Sequence, residues 1–101
     1  EEHRQRQVDL LLALLDSLPS DEPVIVAGDF NDWRLKADVR LSGHLVEAFG
    51  KPARSFPARL PLLRLDRIYL RNAKACEARV LSRYPWSHLS DHAPLVAQVT
   101  L

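Results

Sequence analysis

Three short stretches carry side chains that could move a proton or hold a phosphate. In Gly28-Asp29-Phe30-Asn31-Asp32, residues two apart on extended backbone face one way. Asp29 and Asn31 therefore project together while Phe30 packs opposite. A carboxylate beside a carboxamide can accept a proton from water and orient it, and Gly28 lets the backbone turn so that both reach a cleft. The competing reading is an Asx turn that caps the next helix. In Leu65-Asp66-Arg67-Ile68, Asp66 shares a strand face with Ile68 and Leu70, a costly position for a carboxylate without a partner. Arg67 points the other way. A histidine elsewhere is the natural partner, held as imidazolium or in one tautomer; otherwise this is an edge strand whose Asp66 faces water. In Ser90-Asp91-His92-Ala93-Pro94, adjacent residues entering a strand diverge, so one can face a metal and the other a phosphate. The plain alternative is a surface histidine. All these readings stay open on residue types alone.

His88 and His92 are four apart, the spacing of a helical zinc pair. Leu89 stands where a zinc protease has Glu, and Pro85 and Pro94 argue against a helix. Oxygen-rich Asp29, Asn31 and Asp91 suit magnesium or manganese better.

These residues need elements to position them. Val8, Leu11, Leu12, Leu15 and Leu18 share one helical face, widened by Leu10 and Leu14, so the spacing predicts a helix pressed onto a sheet. Pro19 to Pro23 stop it. Val24-Ile25-Val26-Ala27, β-branched and without alternation, reads as a central strand buried on both faces. Asp32 is placed to cap a short helix through Ala37, and Leu45 to Phe49 reads as a further turn. Lys51 to Pro61, with three prolines, reads as a structured loop. Strands follow at Leu65–Leu70, Cys76–Arg83 and Leu95–Leu101. The order predicts an α+β fold, with the helix on one face of a largely antiparallel sheet.

Composition bounds the rest. The 101 residues allow one domain, burying about 65% of the unfolded chain's surface. A net charge of +1 excludes a strong general attraction for polyanions. The one cysteine, Cys76, excludes an internal disulfide and a Cys-rich zinc site. The longest apolar run, Leu10 to Leu15, has six residues and cannot span a bilayer. There is no methionine and no apolar leader at the start, which reads as a fragment or processed product.

Each stretch is weak alone, but their order is specific. GDFND at 28–32, LDRI at 65–68 and SDHAPL at 90–95 resemble the last three signature blocks of the endonuclease/exonuclease/phosphatase superfamily, the deoxyribonuclease-I-like hydrolases. The Arg-Gln-containing helix before GDFN and the Phe-Pro loop before LDRI resemble its bacterial members. The resemblance implies a Mg2+- or Mn2+-dependent phosphoesterase. In it Asp29 positions or deprotonates the attacking water, and Asn31 helps orient water and phosphate. Asp91 helps hold the metal, His92 contacts a phosphoryl oxygen, and Asp66 orients His92. It also implies that residues 1–101 are the carboxy-terminal half of a four-layer αββα sandwich. The missing amino-terminal half would supply an Asn, a Glu and another His. The isolated half is then expected to bind magnesium poorly and to have little activity. Its exposed sheet face favours a homodimer, or a non-catalytic interaction role. Nucleic acids, inositol phosphates and phospholipid head groups are all substrates open to such a scaffold. Trp33, Phe56 and Trp86 could stack on a base and Arg54, Arg59 and Arg64 could contact phosphates, or these residues simply pack and solvate. A cytoplasmic location is favoured.

Overall fold

The computed structural model describes residues 2–32 and 34–101, residue 2 by its backbone alone. Trp33, one of the expected stacking aromatics, lies outside the described residues. Helix α1 (Glu2–Ser17) is built from strong helix formers, and it ends two residues before Pro19. Strand β1 (Val24–Asp29) follows, then helix α2 (Lys36–Leu41) and the two-residue strand β2 (Val46–Glu47). After a long loop come β3 (Asp66–Arg71), β4 (Lys74–Val80), a 3-10 turn at Trp86–His88 and β5 (Leu95–Thr100).

The strands form two antiparallel sheets, one in the order β1-β3-β2 and one pairing β4 with β5. The fold is α+β, with both helices serving the first sheet. Val8 and Leu15 of α1 are buried with Ala37, Leu41, Leu45 and Tyr69, and Val24, Val26 and Phe30 pack against them. Arg40 of α2 ties the helices together by donating to the Gln5 carbonyl and side chain and pairing with Asp9. Arg71 donates to the Leu15 and Pro19 carbonyls, and Asn72 to those of Ser20 and Glu22. The end of α1 is thus fixed to the end of β3.

Several expectations need correction. Among the described residues β1 pairs only with β3 and lies at a sheet edge; α1 covers the Val24 and Val26 face, while Ile25 on the other face is 55% exposed. A β-branched run thus marks a strand, without fixing how many layers cover it. The apolar arc of α1 is narrower than expected, since Leu10 and Leu14 face outward. Asp32 does cap, but the helix it serves starts at Lys36: its Oδ2 accepts the Asp38 N–H at 3.0 Å. Val46–Glu47, read as a turn, is strand, because its backbone finds the free edge of β3. β4 begins two residues before Cys76 and ends at Val80, with a bulge between Ala75 and Glu77.

Candidate active site

The β1–β3 register sets Asp29 directly opposite Asp66. Two carboxylates in facing positions repel, so the pair needs a cation or a proton between them. His92 supplies one. Its Nδ1 lies 2.6 Å from Asp66 Oδ2 and its Nε2 lies 3.7 Å from Asp29 Oδ2. Because an ionised carboxylate only accepts, Nδ1 carries the hydrogen of the short bond. That bond raises the proton affinity of His92 above the ordinary imidazole value of 6.5. Partial burial opposes the rise, and the negative charges of Asp66, Asp29 and Asp91 add to it.

The loop of residues 51–61 supports this arrangement from behind. Ser55, fully buried, donates its Oγ–H to Asp66 Oδ2 at 2.6 Å and accepts the Asp66 backbone N–H at 3.3 Å. The Phe56 ring lies 5.0 Å from the His92 ring. The Ala93 N–H donates to the Ser55 carbonyl and the Ala58 N–H to that of Asp91, both at 2.7 Å. These bonds fix the backbone on both sides of His92, so the imidazole has little freedom to leave Asp66.

On the opposite face Arg67 is wholly buried, as its strand phase requires. It donates to the Asp32 carbonyl at 2.9 Å and to the Arg64 carbonyl, and lies 3.7 Å from the Asp32 carboxylate. Arg67 thereby ties the turn after Asp29 to the strand of Asp66. Further along that face the Tyr69 O–H donates to Asp38 Oδ1 at 2.6 Å. Burial, followed by that bond, raises the Tyr69 proton affinity. Burial also pushes the carboxyl of Glu47 up to about 7, although Phe49 N–H donates to it.

The structure thus brings Asp29, Asp66 and His92 together, with one ligand atom of each within 4.8 Å of the others. They open on a cleft of about 380 Å³ walled by Ala27, Ile68, Pro94 and Leu95. Asn31 does not project beside Asp29 as an extended strand would have it. β1 ends at Asp29, and Asn31 has φ 48°, a left-handed conformation that Asn tolerates. Its backbone N–H donates to Asp29 Oδ1 at 2.8 Å, so the Asx turn is present as well as the cluster. The Asp91 side chain is exposed, and Asp91 is not among the residues that wall the cleft. His88 sits on the 3-10 turn with Nδ1 against Ser87 Oγ, apart from the cluster. Ser55 has no sequence signal of its own beyond its place in the Phe-Pro loop.

The family model described as endonuclease/exonuclease/phosphatase matches residues 1–92. The chain belongs to that family. Its members are hydrolases, typically dependent on a divalent metal. Proteins named Uncharacterized protein YbhP from Escherichia coli (strain K12) and Shigella flexneri are each 51% identical over 107 residues. That alignment takes in 100% of this chain and 42% of each relative. A solved structure described as a functionally unknown conserved protein from Enterococcus faecalis V583 superposes with a TM-score of 0.79 at 21% identity. It covers 96% of this chain and 44% of that one, and it bears on the fold alone. Among the described residues no helix is long and apolar enough to cross a membrane.

Proposed function

We propose that this chain is part of a divalent-metal-dependent phosphoesterase that hydrolyses a phosphate ester with an activated water. The observation that carries the reading is His92 held between the facing carboxylates of Asp29 and Asp66. With Nδ1 committed to Asp66, Nε2 is the atom left for a phosphoryl oxygen. An imidazolium there stabilises charge that grows on the oxygen as phosphorus is attacked. Asp29, about half exposed, has one oxygen on the Asn31 N–H and the other toward the cleft. It can take a proton from an attacking water or fix that water's lone pair. The water oxygen bonds to phosphorus, the ester P–O bond breaks, and the departing alcohol takes up a proton. Asn31 and Asp91 are assigned by family resemblance to orienting the phosphate and to holding the metal.

The donor set suits a hard cation. Asp29, Asp66 and His92 leave a net negative charge beside the cleft that attracts a cation, and the carboxylate oxygens of Asp29 and Asp91 prefer magnesium or manganese. Asp29 and Asp91 are the residues of this chain that would hold it, and when bound it would supply Lewis-acid polarisation of the phosphoryl group. The longer relatives have room for further donors, which we place outside these residues.

Hydrolysis of bis(p-nitrophenyl) phosphate by the full-length protein, with and without manganese, tests this reading. Asp29→Ala and His92→Ala are each expected to lower kcat by about a hundredfold or more. Asp29→Ala should leave the melting temperature nearly unchanged, while His92→Ala lowers it modestly by leaving the facing carboxylates unshielded. Metal-stimulated turnover that survives both substitutions would overturn the assignment.

A further inference from the structure

Carboxylates are missing from two stretches of the chain. From Ala48 to Leu65 there are Lys51, Arg54, Arg59 and Arg64 but neither Asp nor Glu, and from Ala78 to Ser90 there are Arg79 and Arg83 but again no acid. The structure makes residues 48–65 and 81–90 the two loops that bracket the His92 segment. Arg79 lies in β4 paired with Glu77, and Arg64 donates to the Pro52 carbonyl, which leaves Lys51, Arg54, Arg59 and Arg83 as the exposed cations of the loops. The first loop is pinned to the His92 segment by the Ala58–Asp91 hydrogen bond and the Phe56–His92 ring contact. The second runs directly into it through Ser90.

Both loops hold large apolar side chains out in water. On the first, closed by a bridge between Phe56 and Leu63, Leu60 is 67% and Leu62 57% exposed. On the second, Tyr84 is 78% and Leu89 69% exposed, and Trp86 joins them. Single exposed leucines are ordinary, but two loops that both flank His92, one of them joined to it by backbone and ring contacts, and that each carry exposed large apolar side chains are not. The residue types are those of a surface that meets lipid. Leucines enter the acyl boundary, Trp and Tyr sit at head-group level, and arginines meet anionic phosphates. A nucleic-acid strand would use the arginines and aromatics but would find nothing for Leu60, Leu62 and Leu89.

We propose that the 57–62 and 83–89 loops dock the protein on an anionic bilayer surface, so that its substrate is the phosphate ester of a membrane-lipid head group. This rests on the phosphoesterase reading for the chemistry, while the docking itself is independent of it.

The test is co-sedimentation of the full-length protein, without divalent metal, with vesicles of phosphatidylcholine alone or mixed with phosphatidylglycerol. Binding to the mixed vesicles and little to the neutral ones is expected. Leu60→Ser with Leu62→Ser is expected to weaken partitioning at least about tenfold. Arg59→Gln and Arg83→Gln are each expected to weaken it about fivefold. All four residues are exposed, so the variants should melt with the wild type, which a melting curve checks. Asp29→Ala should bind vesicles normally. No partitioning of the full-length protein, or partitioning untouched by the leucine changes, would overturn the proposal. Tighter binding to a single-stranded oligonucleotide, lost with the arginines alone, would also overturn it in favour of a nucleic-acid surface. Failure of the phosphoesterase reading shows separately, as protein that binds vesicles yet cleaves neither lipid nor the soluble diester.

Discussion

Asp66 Oδ2 receives two donors, the imidazole of His92 and the hydroxyl of buried Ser55, each at 2.6 Å. An oxygen so occupied has little capacity left for a water or a metal, so Asp66 acts through His92, as a positioning residue. Its hydrogen bond to Nδ1, strengthened by the negative charge of the acceptor, is the main cause of the raised proton affinity of His92. The sign is fixed by that direction: imidazolium is complete below the ordinary 6.5, and it is lost as pH rises through the raised value in the folded protein. Activity that needs the cation therefore has an alkaline limb set by His92. Asp66→Asn keeps an acceptor but removes the charge, so the alkaline limb of kcat/KM is expected to move to lower pH. Turnover below that limb is expected to fall by about tenfold, with the melting temperature changed little. A pH–rate profile of the variant checks this; an unmoved alkaline limb would mean that Asp66 does not hold the imidazolium.

At the scale of elements, β3 works on both faces, with Asp66 toward the cleft and Arg67 and Tyr69 toward the helices. The side away from the chemistry holds a buried network of Asp32, Arg67, Asp38, Tyr69 and Glu47. Within it, Glu47 Oε1 has no hydrogen-bond partner among the described residues. Its carboxyl is pushed up to about 7 from 4.5, first by burial and then by the charge of Asp38. A carboxyl that binds its proton more tightly when folded loses stability as pH rises between those two values, and the full cost stands above 7. Glu47→Gln removes that slope while its amide oxygen can still accept the Phe49 N–H. It is expected to raise stability at pH 8 relative to pH 5 by about 1–3 kcal/mol, which chemical denaturation at the two values measures. Much of the site was legible in the residue types. Asp66 on an apolar strand phase demanded a partner, and His92 is that partner. β3, β5 and the helix of Val8 to Leu18 followed from periodicity. What could not be read was tertiary. Whether β1 is central or at an edge depends on which strands find it, and Glu47 looks like a surface residue until β2 pairs with β3. The turn at Asn31 breaks the two-residue alternation because one left-handed residue suffices to do so.

For the whole molecule, the cleft has one wall open. Asp29 is about half exposed, and Ile25 and Ala27 on the same face of β1 meet water in this chain. The chain spans 42% of the length of the curated relatives it matches, so the rest of a longer protein has both the room and an apolar surface to close that wall. A cation held by one or two side chains of an open cleft binds weakly, because such a site leaves most of its six or more ligand positions to water. The 101-residue chain on its own is therefore expected to show at least about a hundredfold lower manganese-stimulated kcat/KM than the full-length polypeptide. Assays of both at several protein concentrations check this, with sedimentation velocity alongside. Equal activity per chain at every concentration would mean that the cluster of Asp29, Asp66 and His92 needs nothing from outside these residues. Activity of the short chain that rises with concentration, together with a dimer in sedimentation, would mean that a second copy closes the wall through the Ile25 face. In that case Ile25→Asp should return the short chain to an inactive monomer, because a carboxylate cannot be desolvated at the centre of an apolar contact without a partner.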